Sequence, residues 1–185
     1  RYRECWEDYQ RLLGREGVTP SMAKASLRRS NALIAAMLMR RGDADAMLCG
    51  LVGRYDGHLQ NVRDTIGLKS GATTFAAMNA LLLGERTLFI ADTFVNDEPS
   101  AEQLAEIAAM ACEELRRFGL TPRVAFVSHS MFGSSARPSA QRMRRATQLF
   151  KAMQPGTSCD GEMHGDAALS QDIRRSFLPD STLEG

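Results

Sequence analysis

An α/β fold, with a mainly parallel sheet flanked by helices and one antiparallel hairpin, is what the sequence predicts, and three observations predict it. Apolar runs of strand length alternate with helical patterns along most of the chain. Two of the runs, residues 73–83 and 86–92, are joined only by Gly84-Glu85, a loop short enough to force an antiparallel hairpin. Two others, residues 46–51 and 123–127, each lead through a glycine-bearing loop into a helical pattern, the order that builds a parallel sheet.

Each element has a local reason. Residues 2–14 carry Tyr2, Trp6, Tyr9 and Leu13 at helical spacing, and Gly14 and Gly17 end that pattern. Thr19-Pro20 supplies an N-cap and a favoured first helical residue, which predicts one long helix over 20–41, apolar through Leu27, Leu33 and Met37 and stopped by Gly42. Arg40 and Arg41 suit its negative pole, whereas Arg28 and Arg29 sit midway and have no such reason. A strand over 46–51 and a turn through Gly50 and Gly53 come next, then an amphipathic helix from near Tyr55. Beyond the hairpin, Ser100-Ala-Glu-Gln103 is a capping-box pattern opening a helix that runs to Phe118 and stops at Gly119. A strand over 123–127, a serine- and glycine-rich loop over 128–135 and a basic helix from about Pro138 to Met153 follow. A polar-acidic segment over 160–166 and a short helix from about Ala167 complete the order.

Composition bounds the function. The chain has 185 residues, 44% apolar and 24% charged, as in an ordinary globular domain large enough to bury a core. A net charge of +1 gives no electrostatic case for nucleic acid or an acidic membrane. No apolar run has the length to span a bilayer, no charged-then-apolar leader opens the chain, and the four cysteines form no CxxC pair, so reduced thiols in the cytoplasm are expected. The sequence opens at Arg1 inside a helical pattern and closes on residues 182–185, which complete no element; residues 1–185 read as one domain, truncated at both ends.

Ligands of open α/β sheets gather at the carboxyl ends of the strands, so the loops 50–54, 92–96 (with Asn96) and 128–135 are expected to face one side and build one site. Gly50 and Gly53 leave open amides beside a helix N-terminus, which favours an anion; they serve a tight turn equally well. Ser128, Ser130, Gly133, Ser134 and Ser135 offer the hydroxyls and amides of a phosphate cradle, without matching a Walker or GxGxxG pattern, and a flexible capped loop is the competing reading. His58, His129 and His164 are the only histidines, and a serine–histidine–Asp166 hydrolase triad lacks its G-x-S-x-G elbow. Asp160, Glu162, His164 and Asp166 point different ways along a strand or turn, so no metal site is expected. Arg28 and Arg29 suit bidentate binding of a phosphate or carboxylate, while Arg142, Arg144, Arg145 and Lys151 form either a nucleotide-phosphate clamp or a solvated basic face.

Four stretches in order, ADAMLCGLVGR at 44–54, TLFIADTFVNDEPSAEQLAEIA at 87–108, RVAFVSHSMFGSS at 123–135 and CDGEMHGDAAL at 159–169, resemble the successive motifs of the phosphate acetyl/butyryl transferase family. HLQNVRDTIG at 58–67 and FLPDSTLEG at 177–185 are most similar to the C-terminal phosphotransacetylase-like region of the large bacterial NADP-dependent malic enzymes. The resemblance implies an isocitrate dehydrogenase-like architecture, with coenzyme A or acetyl-CoA held in a cleft by Arg28 or Arg29, Gly50, Gly53, Asn96 and the 128–135 loop. It also implies homo-oligomers, and an upstream malic enzyme domain that would hold NADP and a divalent metal. The family's second phosphate-binding arginine aligns with Gln60, and its Ser-Arg pair and aspartate belong to a later part of the family sequence, which argues against acetyl transfer. The reading that results is a regulatory region binding acetyl-CoA; the alternatives are an active phosphate acetyltransferase and an oligomerisation scaffold built on the methionine- and alanine-rich helix 20–41.

Overall fold

The computed structural model describes every residue except Glu85 and Gly185, and the chain forms two compact units, Arg1–Ser70 and Gly71–Gly185.

The first unit is helical. Helix α1 (Tyr2–Leu13) and a short 3₁₀ turn lead into α2 (Pro20–Arg29), α3 (Asn31–Arg41) and α4 (Tyr55–Thr65). Cys5, Tyr9 and Leu13 of α1 interlock with Ala23 and Leu27 of α2 and Leu33 and Met37 of α3 to form its core. Arg41 ties α3 to α1 through Glu4 and Asp8, both at 2.6 Å, and Arg40 donates to the Thr65 carbonyl of α4 at 2.7 Å.

Two expectations are corrected here. The long helix over 20–41 is two helices broken at Ser30, whose backbone is extended and whose hydroxyl accepts the Leu33 amide at 3.1 Å. Serine caps a helix start better than it continues a helix interior, and that preference wins over the apolar periodicity. The run 46–51 is not a strand: the unit contains no strand to pair with it, and Leu48 and Leu51 are fully exposed.

The second unit is α/β. Strands β1 (Met78–Leu83) and β2 (Arg86–Ala91) form the expected antiparallel hairpin, pairing Met78 with Ala91 and Leu83 with Arg86; its turn residue Glu85 lies outside the described residues. The strand expected from residue 73 starts only at Met78, because 73–77 is held as a loop by side chains described below. Helix α5 (Ala101–Arg117) opens on the capping box, with Ser100 and Gln103 bonding reciprocally at 3.2 and 2.8 Å. Strand β3 (Arg123–Val127), helix α6 (Pro138–Met153) and strand β4 (Ser158–Met163) make a βαβ unit whose strands are parallel. Helices α7 (Gly165–Leu169) and α8 (Gln171–Phe177) follow where one short helix was expected.

The β3–β4 pair is buried on both faces. Val124, Phe126 and Cys159 pack with Ala105 and Cys112 of α5 and Ala146 and Phe150 of α6, the Phe126 and Phe150 rings lying 5.8 Å apart. On the other face Ala125 and Met163 meet Met131, Ala167 and Leu183. Strand β4 overlaps the polar-acidic segment, which the sequence leaves open as strand or turn. Its Asp160 and Glu162 are nonetheless buried, and each is satisfied by several donors, which is what allows carboxylates inside a strand.

Candidate functional site

The pairing of β3 with β4 contains an irregularity that positions the site. Phe126 pairs with Gly161 and Val127 with Met163, so Glu162 has no residue opposite it and forms a β-bulge. Gly161 makes the bulge possible: its φ is +148°, and a Cβ there would lie 2.7 Å from the Phe126 carbonyl oxygen. The bulge sends the Glu162 carboxylate, 1% exposed, under the loop 128–135 at the carboxyl ends of the two strands.

Four donors converge on that carboxylate. Ser130 Oγ donates at 2.7 Å and the Gly133 amide at 2.8 Å; Arg144 of α6 donates through Nε at 3.0 Å and Nη2 at 2.9 Å. Burial by itself would raise the Glu162 pKa, but the Arg144, Ser130 and Gly133 bonds outweigh it and hold the group down at about 2. The backbone contributes as well, since the Phe132 amide donates to the Glu162 carbonyl and the Ser128 amide to Met163, both at 2.8 Å.

Around this anchor the loop bonds to itself. Ser130 Oγ accepts the Ser135 amide at 3.1 Å, Ser134 Oγ accepts the Met131 amide at 2.9 Å, and Ser128 Oγ accepts the Ser130 amide at 3.2 Å. Phe132 (φ +42°) and Gly133 (φ +95°) both take left-handed conformations, sparsely populated for phenylalanine. His129 Nε2 lies 3.4 Å from Ser135 Oγ, and His164 Nε2 lies 3.1 Å from the His129 carbonyl. His129, Gly133 and Ser134 form the exposed surface of the loop.

Five of the candidate residues, Ser128, Ser130, Gly133, Ser134 and Ser135, are thus brought together. Asn96 belongs to a different network. Its amide and side chain donate to Asp92 at 2.9 and 2.6 Å, its side chain also donates to the Phe75 carbonyl at 2.8 Å, and the buried Thr74 donates to it at 3.2 Å. Asp92 further accepts the Ala77 amide at 3.0 Å, and Glu106 accepts the Thr73 amide and hydroxyl, so the network pins 73–77 beside the hairpin.

In the first unit Arg28 and Arg29 are exposed in the last turn of α2, where they face that helix's negative pole, and Arg28 lies 6.0 Å from the Tyr2 ring centroid. Gly50 (φ +121°) and Gly53 (φ +105°) form the expected turn into α4, whose first turn has no side-chain cap. His58 Nε2 closes the turn on the Val52 carbonyl at 2.9 Å.

Acidic residues weighed together from the sequence part company. Asp160 accepts from Lys151 at 2.9 Å, Ser181 at 2.7 Å and the Thr182 amide at 2.9 Å, and its pKa is lowered: burial opposes ionisation, but these bonds prevail. Asp166 accepts its neighbour Ala167's amide at 2.7 Å rather than orienting a histidine. Among the described residues no group of three or more His, Cys, Asp or Glu side chains is arranged to hold a metal. The basic helix divides: Arg144 and Lys151 turn inward to buried carboxylates and Arg142 donates to the Pro99 carbonyl at 3.3 Å, while Arg145 is exposed. Glu162 and Arg144 are the residues whose partnership sequence reasoning missed, since no local pattern marks a β-bulge or a pairing across 18 residues.

The α/β fold, with its parallel β3–β4 pair and antiparallel hairpin, is similar to that of solved phosphotransacetylases. The chain belongs to the family described as Phosphate acetyl/butaryl transferase, which it matches over residues 1–185. It is 50% identical over all 185 residues to an NADP-dependent malic enzyme of Escherichia coli (strain K12), covering 24% of that protein's length. It is 34% identical over 149 residues, 80% of the chain, to a phosphate acetyltransferase of Nitratidesulfovibrio vulgaris, covering 21% of it. Among solved structures, a phosphotransacetylase from Streptococcus pyogenes superposes with a TM-score of 0.87 at 27% identity, over the whole of this chain and 56% of that one. The chain therefore spans about a quarter of the length of the malic enzymes it matches. Among the described residues no helix is long and apolar enough to cross a membrane.

Proposed function

We propose that this chain is the phosphotransacetylase-like regulatory region of a malic enzyme, binding acetyl-CoA as an allosteric effector of an upstream catalytic domain on the same polypeptide. The observation that carries the reading is the 50% identity to an NADP-dependent malic enzyme across all 185 residues, against 34% to a phosphate acetyltransferase across 149. The upstream domain would oxidatively decarboxylate malate to pyruvate with NADP and a divalent metal, in the cytoplasm and as a homo-oligomer. Pyruvate is a precursor of acetyl-CoA, so feedback at this region limits its own supply.

Each unit by itself carries groups suited to a phosphorylated nucleotide. Arg28 and Arg29 are exposed guanidiniums suited to phosphate, and Gly50 and Gly53 open the start of α4. The loop 128–135 offers Ser134, Gly133 and His129 on its exposed side. Ser130 acts by shaping the loop, since its hydroxyl is spent on Glu162.

In the complete protein, acetyl-CoA is expected to inhibit malate-dependent NADP reduction, and deleting residues 1–185 is expected to abolish that inhibition while leaving basal turnover. Undiminished inhibition would reject the assignment. Active phosphate acetyl transfer is favoured by the superposition on a phosphotransacetylase and is distinguished by release of thiol when acetyl-CoA is mixed with phosphate. Turnover lost on replacing Arg28 or Arg29 would favour it.

A further inference from the structure

We propose that Glu162, held by Arg144, is a positioning residue that keeps the loop 128–135 preformed for acetyl-CoA, an inference that rests on the function proposed above. Three independent features meet at this side chain. A β-bulge, seated on a glycine no other residue can replace without collision, turns the carboxylate out of the β3–β4 ladder and beneath the loop. The loop it meets holds Phe132 and Gly133 in left-handed conformations, which persist only where the surroundings over-determine them. Glu162 supplies that determination: its carboxylate accepts from Ser130, before the two residues, and from the amide of Gly133 itself, while its backbone carbonyl accepts the Phe132 amide.

The pair is an inefficient way to gain stability alone. Burying the Glu162 carboxylate against an Arg144 side chain that stays 36% exposed costs about as much as their attraction returns, and neutral pairs of similar volume often serve as well. What a charged, bidentate pair adds is direction. Arg144 grips both oxygens of Glu162 and also donates to the Ser135 carbonyl at 3.2 Å, so α6, β4 and both halves of the loop share one geometry. A preformed loop binds its ligand without the ordering cost that a mobile one bears.

The carboxylate also occupies a donor set that would suit a phosphate: a hydroxyl and a glycine amide of the loop, and the Arg144 guanidinium of α6. The ligand's phosphates are thereby directed to the exposed side of the loop, and Glu162 itself touches no ligand.

The test compares the wild-type complete protein with Glu162→Gln and with the neutral pair Glu162→Gln/Arg144→Met, measuring acetyl-CoA affinity by calorimetry, stability by urea unfolding and amide exchange at residues 130–135. Glu162→Gln is expected to lose both stability and affinity, because it strands a charged Arg144. In the neutral pair, stability is expected to return while affinity stays about tenfold or more below wild type and loop amides exchange faster. Recovery of affinity together with stability would overturn the positioning role and leave the acetyl-CoA reading intact. Absence of acetyl-CoA binding by the wild-type protein would overturn both.

Discussion

Gly161 and Glu162 show how much a single position decides. Added to Gly161, a Cβ would lie 2.7 and 2.8 Å from the Phe126 carbonyl oxygen and Cβ, both part of the strand it pairs with and neither free to retreat. Gly161→Ala is therefore expected to destabilise the second unit by about 1–3 kcal/mol or more, read as a lowered urea midpoint at unchanged slope. Glu162 sets a pH window. Its folded pKa of about 2 lies below its ordinary 4.5, so the stability it contributes is complete above about pH 4.5 and is lost as pH falls towards 2. Asp160, also lowered, adds a loss of the same sign. The urea midpoint should stay level down to about pH 4.5 and then drop, and Glu162→Gln should flatten part of the drop; an equally steep fall in that variant would contradict the assignment. Neither residue's role was legible beforehand, because a bulge and its partners come from elements 18 or more residues apart.

At the scale of elements, local signals were read where local physics rules. Thr19-Pro20 and the Ser100–Gln103 capping box start α2 and α5 where the sequence placed them, and Gly42 and Gly119 stop their helices in left-handed conformations. Ser30 is the instructive exception. Periodicity ran through it, yet its hydroxyl competes with the backbone and caps a new helix, a short-range bond hidden beneath a pattern of apolar residues. Ser30→Ala is expected to cost roughly 0.5–2 kcal/mol through the lost cap, measured by chemical unfolding of the first unit. Strand β4 was left open as strand or turn for the opposite reason: its polar residues are buried because Lys151 and Arg144 reach them from α6.

Across the chain, apolar surface is distributed unevenly. Leu48, Leu51 and Val52 in the first unit, and Leu82 and Phe94 in the second, are between 65% and 104% exposed, far beyond scattered surface leucines. Strand β1 carries leucine at three consecutive positions, so both faces of a two-stranded hairpin are apolar, a pattern suited to strands covered on both sides. The 185-residue chain on its own is expected to bind a hydrophobic dye and to self-associate at micromolar concentration, and Leu82→Lys should reduce both; a clear, monomeric wild-type sample would count against this.

By itself the sequence determined the family, the helix starts and stops, the hairpin and the serine and glycine loop, because each rests on neighbours within a few residues or on motifs read in order. Only the tertiary structure decided that the run 46–51 has no strand to join, that 158–163, with Asp160 and Glu162, pairs with β3, and that the loop closes on Glu162. Strand pairing and buried charge depend on partners contributed from elsewhere in the chain, and no local pattern announces whether those partners arrive.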